Sequence, residues 1–161
     1  MKIAVASDIH DNLANLEKLL SSIKREKIRV IILCGDLCGK EVLEFLKKNV
    51  DKEIYLILGN ADRKEEIFKF AENFPEIKVF DKFGEIEIEG LKIGFCHKLD
   101  LAKEKIKDFN FIFYGHTHKP WIEKIGNCIL ANPGNLAGIF FKSTFAILDT
   151  KTKKLFLKEL F

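Results

Sequence analysis

Short apolar runs, each closed by a polar turn and followed by an amphipathic stretch, set the rhythm of the first half of the chain. Lys2 to Ala6 reads as a strand ending at Ser7-Asp8-Ile9-His10-Asp11-Asn12. Leu13, Leu16, Leu19 or Leu20 and Ile23 then recur at helical spacing, which predicts a helix from about Leu13 to Glu26 with Asp11 or Asn12 as its N-cap. The pattern repeats. Arg29 to Cys34 is a continuous apolar strand closed by Gly35-Asp36-Leu37, and Lys40 to Asn49 is amphipathic. Glu53 to Leu58 is a third strand closed by Gly59-Asn60-Ala61-Asp62, with a third helix over Arg63 to Phe74 and a break at Pro75. Three such units in a row predict a parallel sheet with right-handed crossovers.

The second half changes character. Lys78 to Phe80, Glu85 to Glu89 and Leu91 to Cys96 read as short strands, the last two joined across Glu89-Gly90 as a hairpin. A short helix, about Asp100 to Lys107, leads into a buried strand over Phe109 to Tyr114. Trp121 to Ile125, Cys128 to Ala131, Ser143 to Asp149 and Leu155 to Leu160 complete a set expected to pair mostly antiparallel. No linker, repeat or low-complexity stretch intervenes, so residues 1–161 are read as one domain. Two sheets packed face to face with helices outside satisfy both halves: α/β, with α+β character in the second half.

Composition narrows the setting. With 47% hydrophobic and 32% charged residues, the chain has the balance of an ordinary globular protein. A formal net charge of +3 is too small to argue for a nucleic-acid partner, and Lys151, Lys153 and Lys154 read as a solvated face. No apolar run is long enough to span a bilayer, and Met1-Lys2 leads into a strand instead of a signal-peptide core. Cys34, Cys38, Cys96 and Cys128 lack disulfide spacing, so a cytoplasmic location is expected. No second cysteine pair follows Cys34 and Cys38, which favours small buried thiols over half a zinc site. The lack of Gln, the single Met and the abundant Lys, Glu and Ile resemble hyperthermophile composition.

The polar turns carry the chemistry. His116 and His118 follow an apolar strand and Gly115; at this spacing in an extended segment both imidazoles can face one point. Taken alone, the pair reads equally well as two solvated loop histidines. However, all four histidines of the chain (His10, His97, His116 and His118) lie just past strands, as do Asp8, Asp36 and Asn60. Seven N and O donors from five strand ends exceed what one metal uses. Two divalent ions sharing a carboxylate, roughly 3.5–4 Å apart, would use them well. The sulfur-free N/O set favours Mn, Fe, Ni or Zn in a catalytic setting over a structural zinc.

Asp8-Ile9-His10, Gly35-Asp36, Gly59-Asn60, His97 and Gly115-His116-Thr117-His118 together closely resemble the calcineurin-like metallophosphoesterase superfamily. Asn132-Pro133-Gly134-Asn135 further resembles its small prokaryotic phosphodiesterase branch. The resemblance runs from Ile3 to about Asn135 and implies a four-layer αββα sandwich of two mixed sheets. It also implies a dinuclear site, with Asp8, His10 and His118 on one metal, Asn60, His97 and His116 on the other, and Asp36 bridging. Two divalent ions, manganese first and Ni, Fe or Zn as alternatives, would then generate a metal-bound hydroxide that attacks phosphorus. Asp36, Asn60 and His97 would do the catalytic work, with Asn60 and His97 touching the phosphate.

Several positions depart from the family pattern. Many phosphomonoesterase relatives have His after the Gly-Asn to protonate the leaving group; here that residue is Ala61, which predicts a preference for diesters or good leaving groups. Lys98 follows His97 where relatives often have Gly; it could narrow the cleft or contact phosphate. Asp11 and Asn12 could orient His10 from behind, and Asp62 and Arg63 read as helix-cap residues. The substrate is expected to be a small phosphoester, with no membrane partner and a homo-oligomer left open. The rivals are a nuclease and a non-catalytic scaffold of the kind a retromer subunit builds on this fold. Phe140 and Phe141 are candidates for the scaffold's partner surface, although buried or edge-strand packing is the expected fate of such residues.

Overall fold

The computed structural model describes residues 1–161 as eleven strands and four helices. The first sheet holds β1 (Lys2–Ala6), β2 (Val30–Leu33), β3 (Glu53–Ile57) and β4 (Ile77–Phe80), paired parallel in chain order. Between them run α1 (Leu13–Arg25), α2 (Lys40–Asn49) and α3 (Lys64–Ala71). Alternate residues explain the continuous apolar runs, because both faces of these strands are covered. Ala4, Ala6, Ile31 and Leu33 pack against Leu16, Leu19 and Ile23 of α1 and Val42, Leu43 and Leu46 of α2. Ile3, Val5, Val30 and Ile32 face the other way, into the second sheet.

That second sheet has the order β5 (Phe83–Ile88), β6 (Leu91–Cys96), β7 (Phe111–Phe113), β9 (Cys128–Asn132), β8 (Trp121–Ile125). Phe95, Phe111 and Phe113 fill the space between the sheets, while Ile112, Cys128 and Leu130 pack outward near Ala102 of α4 (Leu99–Glu104). The layers therefore run helices, sheet, sheet, helix: an αββα sandwich. The expected hairpin forms, with Glu89 and Gly90 both at positive φ (50° and 76°), as a two-residue turn of matching twist requires.

The structure corrects the bounds of two expected helices and decides strand pairings that the sequence left open. Pairing in the second half is mostly antiparallel, as expected, through β5–β6, β8–β9 and the last hairpin, while β6–β7 and β7–β9 are parallel. The crossover through α4 returns the chain in the same direction. The last hairpin, β10 (Thr144–Asp149) and β11 (Lys154–Glu159), joins the first sheet, with β10 antiparallel to β1. The run Phe145–Leu148 is apolar on both faces because it lies inside that sheet. The third helix is shorter than its pattern, and the short helix before β7 breaks after Glu104 into a single 3-10 turn at Ile106–Asp108. No helix is long and apolar enough to cross a membrane.

Candidate metal centre

Every predicted donor lies just beyond the C-terminal end of a strand, where the peptide chain must turn sharply. Five sit in left-handed backbone: Asp8 (φ 52°), His10 (46°), Asp36 (56°), His116 (69°) and His118 (61°). Non-glycine residues rarely adopt this region, and strain of this kind collects at functional sites because the surrounding structure enforces it. The enforcement is visible in the backbone. The N–H groups of Asp8, Ile9 and His10 donate to the carbonyls of Gly35 and Asp36 (2.9–3.0 Å), and Gly115 N–H donates to His97 O (3.1 Å). Four of the five turns are thereby tied in pairs before any side chain is considered.

The two carboxylates share one design. Asp8 Oδ2 accepts from Ser7 Oγ (2.6 Å) and from the His116 N–H (3.0 Å), which leaves Oδ1 free. Asp36 Oδ1 accepts from the Ala61 N–H (2.8 Å), and its Oδ2 lies 3.4 Å from His97 Nε2 and 3.9 Å from His10 Nε2. Asp8 is fully buried and Asp36 nearly so. Burial pushes the Asp8 carboxyl above its ordinary pKa, although the Ser7 bond and the charges of His97 and His118 pull the other way. Burial would raise Asp36 too, but the contacts from His97 and the Ala61 N–H outweigh it and hold that carboxyl below the usual range.

Two donor triads result: Asp8, His10 and His118, and Asp36, His97 and His116. In the first, His118 Nε2 is 3.3 Å from Asp8 Oδ1, but not in hydrogen-bond geometry. Asp8 Oδ1, His10 Nε2 and His118 Nδ1 are all buried and lack a partner. In the second, a carbonyl can only accept, so His97 Nδ1 donates to Cys34 O (2.8 Å). Nε2 is thereby turned toward Asn60 Oδ1 (3.0 Å), Asp36 Oδ2 and His116 Nδ1 (3.2 Å). Burial alone would lower the His97 pKa; the Asp36 carboxylate and the Cys34 carbonyl raise it above the ordinary value. Acceptors crowded this closely call for a positive charge between them, and buried polar atoms are otherwise almost always satisfied. The donor set therefore fits divalent cations. Asp36 is the one carboxylate whose free oxygen faces both triads.

Three glycines make the approach possible, for two different reasons. Gly35 (φ 93°) needs the left-handed region itself. Gly59 and Gly115 have no positive φ and are required for room. A Cβ at Gly115 would lie 2.8 Å from Cys34 O and 2.9 Å from Asp8 Oδ2. A Cβ at Gly59 would lie 2.5 Å from Asp36 N.

A family model for the calcineurin-like phosphoesterase superfamily domain matches residues 1–153. The chain belongs to this superfamily. As a member it is a phosphoric ester hydrolase of metallophosphoesterase type. It is 30% identical over 160 residues to a phosphodiesterase of Methanocaldococcus jannaschii, covering 96% of each chain. A solved archaeal phosphodiesterase superposes with a TM-score of 0.91 at 29% identity, over 99% of this chain and 100% of that one. Vps29 of Entamoeba histolytica, solved with zinc, gives 0.70 at 21% identity over 98% and 90%, a likeness that shows the fold alone.

Around the superfamily's motifs, the structure reassigns several supporting residues. Asp62 is no helix cap: its carboxylate accepts from the N–H groups of Asp36 (3.0 Å), Cys38 (2.8 Å) and Gly59 (2.7 Å), bracing two ligand turns together. Arg63 stands at the cap position of α3 but makes no side-chain cap bond. Asn12 is the N-cap of α1, accepting from Asn15 N–H (3.0 Å), and neither it nor Asp11 reaches His10. Cys38 does, with Sγ 3.7 Å from His10 Nδ1, and it is not fully buried; all four cysteines are free. Asn132 and Asn135, both buried, hold the histidine turn from behind. Asn132 Nδ2 donates to Gly115 O and Thr117 Oγ1 (both 3.0 Å), and Asn135 Nδ2 to His118 O (3.2 Å). Sequence reading missed Ser7 and Asn132 as site residues. Only the Asn-Pro-Gly-Asn spacing carried a signal for the latter.

Proposed function

We propose that this chain is a metal-dependent phosphodiesterase whose seven donors hold two divalent cations, manganese first. Asp8, His10 and His118 would take one, Asn60, His97 and His116 the other, and Asp36 would be shared between them. The observation that carries this reading is the pair of facing donor triads, one of which holds three buried atoms without a partner: Asp8 Oδ1, His10 Nε2 and His118 Nδ1. Cations held there would polarise phosphoryl oxygens and make hydroxide, the proposed nucleophile, available from water near neutral pH. The protein supplies position. The Nδ1–H bond to Cys34 O fixes the His97 ring, and Asn60, exposed at the mouth with its Oδ1 3.0 Å from His97 Nε2, would orient the phosphate beside it.

Two features favour diesters over alkyl monoesters. Ala61 presents only a methyl group where many phosphomonoesterase relatives have the proton-donating His, so no side chain at that position would protonate the leaving group. Beyond Asn60 and His97 lies a cavity of ≈ 490 Å³ walled by Leu58, Leu101, Lys82 and Lys98, enough for the second ester arm. Lys98 is exposed on its wall. No nucleic-acid partner is proposed; the free cysteines support a cytoplasmic setting, and the shared inter-sheet core supports one domain over 1–161.

The test is reconstitution with manganese, elemental analysis, and rates on aryl diesters and alkyl monoesters. About two metals per chain and faster diester turnover are expected. A strong monoester preference would sink the substrate reading. Tight binding of both metals without turnover of any ester would favour the scaffold instead.

A further inference from the structure

Phe140 is 90% exposed, and its ring centroid lies 5.9 Å from that of His118, at an interplanar angle of 49°. An apolar ring therefore stands in solvent at the rim of the metal centre. Edge-strand or core packing, the ordinary fate of a phenylalanine, is not what happens here. The backbone is unfavourable as well: φ of 65° puts a bulky side chain in the left-handed region. Neither burial nor conformational preference accounts for this residue at this position.

The loop is nonetheless held firmly. Ile139 N–H donates to Asn135 Oδ1 (2.7 Å), Asn12 Nδ2 to Ala137 O (3.2 Å) and Asn15 Nδ2 to Leu136 O (2.8 Å). Asn135 also donates to the His118 carbonyl, so one buried amide keeps the Phe140 loop and the histidine turn in register. The cavity beyond Asn60 and His97 is lined by none of His10, His118 or Phe140. A diester has two arms; one has that cavity, and the other can lie beside His118.

We infer that Phe140 is an aromatic platform that selects phosphodiesters with a planar arm, an aryl group or a nucleobase, by stacking it beside His118. This inference rests on the phosphodiesterase reading above. A rigid π face in water attracts planar groups with little regard for their hydrogen-bonding edges, so selection is for flatness and not for one base. Ile139 and Phe141, 39% and 42% exposed, extend the same apolar rim.

The test uses manganese-loaded protein and calorimetric binding of methyl phenyl phosphate and methyl cyclohexyl phosphate. The two ligands differ in the flatness of one arm. Wild type should bind the phenyl ester more tightly. Phe140→Leu should weaken that binding about tenfold and the cyclohexyl ester by less than about twofold, whereas Phe140→Tyr should keep the preference. With bis(p-nitrophenyl) phosphate, Phe140→Leu should raise KM while kcat holds. Phe140→Gly should raise KM likewise yet increase Tm, because glycine relieves the left-handed strain. Equal losses for both ligands, no wild-type preference for the planar arm, or Phe140→Leu without effect would overturn the inference; the last result would leave the ring to a protein partner. Planar preference that depends on Phe140 but comes without turnover of any diester would defeat the phosphodiesterase reading and leave only the stacking of a planar group on Phe140.

Discussion

Replacing Gly59 with alanine isolates the claim that the centre depends on close approach of two backbone turns. The added Cβ would stand 2.5 Å from Asp36 N and 2.9 Å from Asp36 Cγ, and closer still to Oδ1. Carbon contacts settle at about 3.5 Å, so the Asp36 turn must retreat by about 1 Å. Overpacking of this kind costs about 1–3 kcal/mol, which in a chain of this size lowers Tm by about 2–12 °C. The effect on rate should be larger, because a displacement of about 1 Å at a reacting centre can cost roughly 100-fold. Gly90→Ala is the control: nothing lies within 4 Å of its Cβ, but its φ of 76° makes alanine strained there. That strain costs about 1–2 kcal/mol in a turn remote from the centre. Both variants are compared by thermal melts, metal content and hydrolysis of bis(p-nitrophenyl) phosphate. Loss of rate in Gly59→Ala alone is expected. Full rate and full metal content in Gly59→Ala, or equal loss in both variants, would refute the reasoning.

Other perturbations test other links. Asp62→Ala strips the acceptor from three N–H groups in the Asp36 and Gly59 turns and should destabilise the fold by about 3 kcal/mol in urea unfolding, with weaker metal binding. A change under about 0.5 kcal/mol would mean that the brace is unnecessary. Stripping metal with a chelator should abolish turnover and lower Tm, since ligand at about 100 times its Kd contributes about 2.7 kcal/mol. Turnover surviving complete demetallation would remove the metal from the account. Tyr55, buried and bonded to Glu53 (2.8 Å), has its phenol pushed up to about 12. Burial raises Tyr114 as well. A raised folded pKa means this stabilisation is complete below the free-tyrosine value of about 10 and is lost as pH climbs from there to about 12. Phenolate absorbance in the native protein should lag behind free tyrosine, and a rise at the free-tyrosine pH with the fold intact would contradict it.

Periodicity determined much of this protein without tertiary information. The three βα units, the Glu89-Gly90 hairpin and the Asn12 cap follow from local rules, because turn chemistry and side-chain spacing act within a few residues. The placement of the seven candidate residues was legible for the same reason: each sits in a polar turn just after an apolar strand, and sheets collect such turns at the C-terminal ends of their strands. Only the tertiary structure decided the rest. It sends the Phe145–Leu148 strand beside β1, since an apolar run records that both faces are buried but not which neighbour covers them. It turns Asp62 from a local cap into a brace, and makes Gly59 and Gly115 necessary through atoms that are distant along the chain. It leaves Phe140 in water beside His118, where composition would have buried it. A sequence specifies what each segment can do alone; which oxygen is left without a partner, and which ring without cover, depends on how segments far apart in the chain meet.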